Sequence, residues 1–108
     1  MSVLPDIEGA IHARAPIRFR YMRPGKTEGW RVGNPHAVFI KRLKSGVEKA
    51  YLHLWQTEGA SDSAQALPSW RQYFLNDIHV VETVPEGAPF DVCSDYNPTY
   101  YEHPICKI

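Results

Sequence analysis

Hydrophobic and polar residues alternate strictly over Ile17-Arg18-Phe19-Arg20-Tyr21, so Ile17, Phe19 and Tyr21 face one way and the two arginines the other. A period of two marks a half-buried strand. Pro24-Gly25 turns the chain after it. Trp30-Arg31-Val32 begins a second extended piece, interrupted at Gly33-Asn34-Pro35 and resumed from Ala37 to Lys41, and Lys44-Ser45-Gly46 turns the chain again. Lys49 to Gln56 carries the clearest strand pattern. There Ala50, Leu52 and Leu54 form an aliphatic row, while Tyr51, His53 and Trp55 form an aromatic row on the opposite face. Residues 57–69 are polar or small, end near Pro68 and read as an exposed loop. Trp70 to Leu75 and Ile78 to Val84 are two more extended runs, split by Asn76-Asp77, which suits a tight turn or a brief 3₁₀ segment.

The pattern thus predicts strands near 17–22, 30–41, 48–56, 70–75 and 78–84. A short helix precedes them from Pro5 to Ala13, with Ile7, Ala10 and Ile11 on one side, and it stops before Pro16. Five short strands at this spacing predict a mainly β fold, a small five-stranded barrel or a strongly bent sheet, which removes exposed sheet edges. Residues 1–84 make up this unit. From Pro85 the composition shifts to prolines, acids and tyrosines without a sustained period. Phe90, Tyr96, Tyr100 and Tyr101 are too apolar for free disorder, so residues 85–108 are expected to pack on the barrel as an extended tail.

A chain of 108 residues with an ordinary mixture of apolar and charged residues has room for one domain and one core. Its net charge is zero, but the signs are segregated. Between His12 and Lys49 ten basic residues face only Glu28 and Glu48, and elsewhere ten acids face only Arg71 and Lys107. A basic patch on one face can therefore attract anions locally. The start of the chain lacks the basic and apolar runs of a signal peptide, and no stretch is apolar enough for a membrane span, so a cytoplasmic protein is expected. In such a compartment Cys93 and Cys106 are expected to stay reduced. Cys93, His103 and Cys106 lack a Cys-x-x-Cys spacing, so neither metal nor cofactor is expected. There is no Gly-x-Ser-x-Gly elbow, phosphate-cradling glycine loop or His-Glu-x-x-His, which argues against an enzyme.

Three stretches resemble the WYL domain, a small SH3-like (Sm-like) barrel of bacterial regulators. Ile17 to Tyr21 followed by Arg31-Val32-Gly33-Asn34-Pro35 is similar to the family's opening strand and its Arg-Val-x-x-Pro step. Ala50-Tyr51-Leu52 stands at the name-giving Trp-Tyr-Leu, with Ala for Trp. Arg71-Gln72-Tyr73-Phe74-Leu75-Asn76-Asp77-Ile78 resembles the closing Arg-x-Phe-x-Leu-x-Arg-Ile, with Tyr73 for Phe and Asp77 for the second Arg. The likeness spans about residues 10–84 and leaves no room for the family's usual winged helix-turn-helix, which implies a stand-alone form. It implies a ligand-binding regulatory domain, with Tyr51 and Arg71 at pocket positions.

The residues themselves suit that role. An arginine offers a planar fork for phosphate or carboxylate, and aromatic rings stack on bases. Tyr51, Arg71, Tyr73, His53, Arg18 and Arg20 are accordingly the candidate ligand-binding residues. The expected partner is a nucleotide or single-stranded nucleic acid, acting for a regulatory protein partner. The alternative is a protein–protein module in which the aromatic face makes a homo-oligomer without a small ligand.

Overall fold

In the computed structural model, which describes residues 3–61, 66–85 and 87–108, the alternating pattern becomes sheet register. The helix α1 covers Leu4–Ala13, and the strands are β1 Ile17–Tyr21, β2 Trp30–Arg42, β3 Glu48–Gly59, β4 Ser69–Phe74, β5 Ile78–Thr83 and β6 His103–Lys107. A single 3₁₀ turn, Leu75–Asp77, joins β4 to β5. Pro5 sits in the first helical turn, where a missing N–H costs nothing, and Arg14 ends the helix in the left-handed region at φ 52°. Ile7, Ala10 and Ile11 are the buried side of α1. They pack with Ile17, Phe19, Val38, Leu52, Leu54, Tyr73 and Ile78 in the main core.

The sheet is antiparallel throughout, in the order β4-β3-β2-β1-β5. Its outermost strands, β4 and β5, are neighbours in sequence. From Phe74 to Ile78 the chain can reach at most about 14 Å, whereas four strand spacings across a flat sheet need about 19 Å. The sheet must therefore curl until its two edges approach. Phe74 N–H donates to Tyr21 Oη at 3.2 Å, and Met22 N–H donates to the Asp77 carbonyl at 2.9 Å. The rings of Tyr21 and Tyr73, 4.8 Å apart, fill the seam. No β4–β5 ladder forms among the described residues, so the expected barrel is corrected to a curled, open sheet. Side chains and a 3₁₀ turn stand where the closing hydrogen bonds would run.

Three further expectations change. Gly33-Asn34-Pro35 does not interrupt β2: the strand runs through it and absorbs the irregularity as two register shifts against β3. One shift leaves His36 without an opposite residue, a β-bulge that puts His36 next to Ala37 on one face. β3 continues through Thr57 to Gly59, into the stretch read as loop, because β2 is long enough to pair with it (Arg31 opposite Gly59). The rest of that loop lies partly outside the described residues.

The sheet also has a sixth strand. β6 pairs with Ala37 to Ile40 of β2, beyond the point where β1 leaves the same edge. Pro104 hid it from the sequence pattern, yet proline is tolerated on an edge strand. Between β5 and β6 the tail is pinned by Phe90 N–H to the Arg14 carbonyl at 2.8 Å and, at its end, by Ile108 N–H to the His36 carbonyl at 3.0 Å. Phe90 and Tyr101 are buried by this wrapping.

Candidate ligand-binding site

Residues directly opposite in an antiparallel ladder share a face. Phe39, Tyr51 and Phe74 are opposite one another across β2, β3 and β4, and Lys41 is opposite Lys49 on the same face. The Tyr51 and Phe74 ring centres are 5.9 Å apart. Lys41 Nζ lies 5.8 Å from the Tyr51 ring, Lys49 Nζ 4.5 Å from Phe74, and the Arg23 guanidinium 5.7 Å from Phe74. Arg23 is also 3.3 Å from Asp77. Among the described residues no carboxylate pairs with Lys41 or Lys49. Two ammonium groups directly opposite repel each other, so this end of the sheet favours an anion.

Of the six candidate residues, only Tyr51 belongs to this patch. His53 shares its face but lies under the tail, with Nδ1 2.6 Å from Tyr101 Oη and its ring 4.5 Å from Trp70. Burial lowers its pKa to about 4, so it is neutral at pH 7. Arg71 and Tyr73 face the other way. Arg71 is opposite Leu54, with Nη2 3.3 Å from Ser61 Oγ, and Tyr73 is opposite Leu52 in the core. Tyr73 Oη accepts from Arg31 Nη1 at 3.0 Å and donates to Gln56 Oε1. Arg31 also donates to the Thr27 carbonyl at 2.7 Å, so this buried arginine belongs to a structural network. Arg18 and Arg20 each lie 5.0 Å from the Trp30 ring, and Arg18 pairs with Glu82 at 2.6 Å.

Lys41, Lys49, Phe74 and Arg23 were missed as site residues. Lys49 was within reach of sequence reasoning, because it is two positions before Tyr51 and must share its face. Lys41 and Phe74 needed the strand register.

The tail builds a second aromatic region over the same face. In the β2 bulge, the His36 ring sits 4.8 Å from Trp70, 5.1 Å from Phe90 and 5.2 Å from Tyr96. A cavity of about 260 Å³ opens between Trp70, His53 and the tail's Asp95, Tyr96, Tyr100 and Tyr101. Between α1 and β6, Cys106 Sγ is 3.5 Å from His12 Nε2. Burial raises the Cys106 pKa and holds it as a thiol, the opposite of nucleophile activation. Among the described residues no three His, Cys, Asp or Glu side chains converge on a point, and no helix is long and apolar enough to cross a membrane. No family model, no curated protein and no solved structure matches the chain.

Proposed function

We propose that this chain is a ligand-binding module and not a self-contained catalyst, and that its Tyr51–Phe74 face takes an anionic ligand with a flat ring. A nucleotide or a short single strand has that chemistry, and a regulatory partner protein would read the bound state. The observation that carries this reading is the Lys41–Lys49 pair. Two cations directly opposite, beside two aromatic rings and with no described carboxylate paired to either, offer phosphate contacts next to a stacking surface. The likeness to WYL domains supports the same class of ligand through Tyr51, though the site proposed here lies off the family's arginine position, Arg71.

A labelled single-stranded oligonucleotide titrated at two salt concentrations tests it. Binding at low salt that weakens steeply as salt rises supports the reading, because the lysines must release counterions. Absence of binding at low salt to both oligonucleotide and nucleotide defeats it. The second reading is self-assembly through the open sheet edges, where Ile105 of β6 and Val80 of β5 are exposed. A mass that rises with protein concentration in light scattering, without ligand binding, favours that one.

A further inference from the structure

Beyond that reading, and at a different cavity, we infer that the chamber between β4 and the tail is a binding site for a methylated ammonium group. Its walls are the rings of Trp70, Tyr96, Tyr100 and Tyr101, and His53, Asp95 and Asn97 complete the lining. Tyr100 and Tyr101 stand nearly perpendicular, at 87° with centres 5.2 Å apart. Tyr96 forms a separate wall, 6.4 Å from Trp70 and 6.3 Å from Tyr101. Aromatic faces present negative quadrupole charge, and several converging on one space attract a cation over their centres.

Three features select the kind of cation. The first is size: about 260 Å³ is below the usual range for a drug-sized ligand, so the cavity fits a head group and not a whole nucleotide. The second is polarity. A primary ammonium is strongly hydrated and wants three acceptors, whereas the chamber is walled mostly by rings. Methyl groups spread the charge and weaken hydration, so a quaternary ammonium enters at lower cost. The third is charge. Asp95 is the one carboxylate among the described lining residues, and the neutral His53 ring does not repel a cation.

Among the described residues, no arginine or lysine stacks on these rings. The described arginines and lysines that stack on rings do so at Trp30, Tyr21, Tyr51, Tyr73 and Phe74, none of them in the chamber. Lys107 is drawn instead to the Pro98 carbonyl, 2.7 Å from its Nζ, where it braces the loop that carries Tyr100. Elsewhere in the fold, Trp30, Tyr51 and Phe74 each already hold a cation. Here, among the described residues, the walls converge without one.

The test titrates the intact chain with four probes: choline, its uncharged isostere 3,3-dimethylbutan-1-ol, ethanolamine, and a peptide carrying trimethyllysine. Tryptophan fluorescence and amide shifts of residues 95–101 report binding. Choline is expected to bind at least about tenfold more tightly than its isostere and than ethanolamine. Tyr100→Ala and Asp95→Asn should each weaken choline about five- to tenfold. Asp95→Asn, at an exposed side chain, should do so with an unchanged melting temperature, whereas Tyr100→Ala also gives up the Gln72 hydrogen bond and its ring contacts. Lys41→Ala with Lys49→Ala should leave choline binding intact, which separates this site from the anion-binding face. A peptide that binds more tightly than choline identifies a methylated side chain as the ligand, and choline binding without the peptide identifies a free quaternary ammonium. Equal binding of choline and its isostere would overturn the proposal, as would the absence of saturable binding by both choline and the peptide.

Discussion

His36 Nε2 accepts the backbone N–H of Cys93 at 3.1 Å, while its Nδ1 lies 2.8 Å from the Asn34 carbonyl. A carbonyl only accepts, so Nδ1 carries the proton and Nε2 is the free lone pair. The ring is therefore neutral, and it ties the tail to the bulge of β2 through one definite tautomer. Protonation would place a second N–H against that of Cys93.

Acid should loosen this strap. Burial lowers the pKa of His36, and lowers that of His53 to about 4. The unfolded chain takes up these protons near the ordinary value of about 6.5, so between the two values it binds more protons than the fold. Stability is then full above about pH 6.5 and falls as the pH drops toward 4. His53 is partly solvated, and its share of the loss is about 2 kcal/mol after screening. Urea melts at pH 7.5, 6 and 5 check this, and His53→Phe, which keeps a ring on Trp70, should flatten the slope. Equal midpoints at pH 7.5 and 5 would contradict it.

Tyr73 should behave as a core residue. Its hydroxyl bridges Arg31 and Gln56, and Gln56 Nε2 goes on to donate to the Ala60 carbonyl at 2.8 Å. Tyr73→Phe keeps the ring contacts to Phe19 and Tyr21 but removes the bridge. The expected loss is about 1–3 kcal/mol in a denaturant melt, the cost of leaving buried polar groups short of a partner. Oligonucleotide affinity at full folding should stay as it was.

The positions and facing of β1 and β3 could be read from their alternation, because each has one face in the core and one face polar or aromatic. β6 was not legible, since His103 to Lys107 has no alternating pattern and gains its place by pairing with an edge that β1 vacates. The candidate site was legible only along single strands. Tyr51 and His53 were placed on one face correctly by their spacing. Arg71 and Tyr51 could not be related, because which face Arg71 takes depends on the β3–β4 register: Tyr51 is opposite Phe74, and Arg71 is three residues away from Phe74 and so on the reverse face.

Two glycines should respond with opposite signs. A Cβ at Gly33 would lie 2.6 Å from the Trp55 carbonyl oxygen and 2.8 Å from Gln56 Cα, both backbone atoms that cannot swing away. Gly33→Ala should therefore force β2 and β3 apart and cost at least about 2 kcal/mol. At Gly9, on the exposed side of α1, an added Cβ meets nothing within 4 Å. Gly9→Ala should stabilise the protein by about 0.5–1 kcal/mol through helix propensity. Thermal melts of the two variants should move in opposite directions, and a stabilised Gly33→Ala would show that the bulge is looser than its geometry.

The sharpest comparison sets Lys41 and Lys49 against Arg71. If phosphate binds beside Tyr51 and Phe74, each lysine removed should take away one released counterion. Lys41→Ala and Lys49→Ala should each lower the salt slope for a single strand by about 0.7. Tyr51→Ala should weaken binding by about 1–3 kcal/mol whatever the base, because stacking does not read base identity. Arg71→Ala should change affinity little, since Arg71 is on the reverse face and engaged with Ser61 and the Trp70 carbonyl. The lysine variants carry a second, independent signature. Removing either member relieves the repulsion but gives up a cation–π contact of similar size, so stability should change by less than about 1 kcal/mol. Fluorescence anisotropy at 50 and 200 mM salt, paired with melts of the same variants, reads both effects. A large loss in Arg71→Ala with none in the lysine variants would move the site to the other face of the sheet.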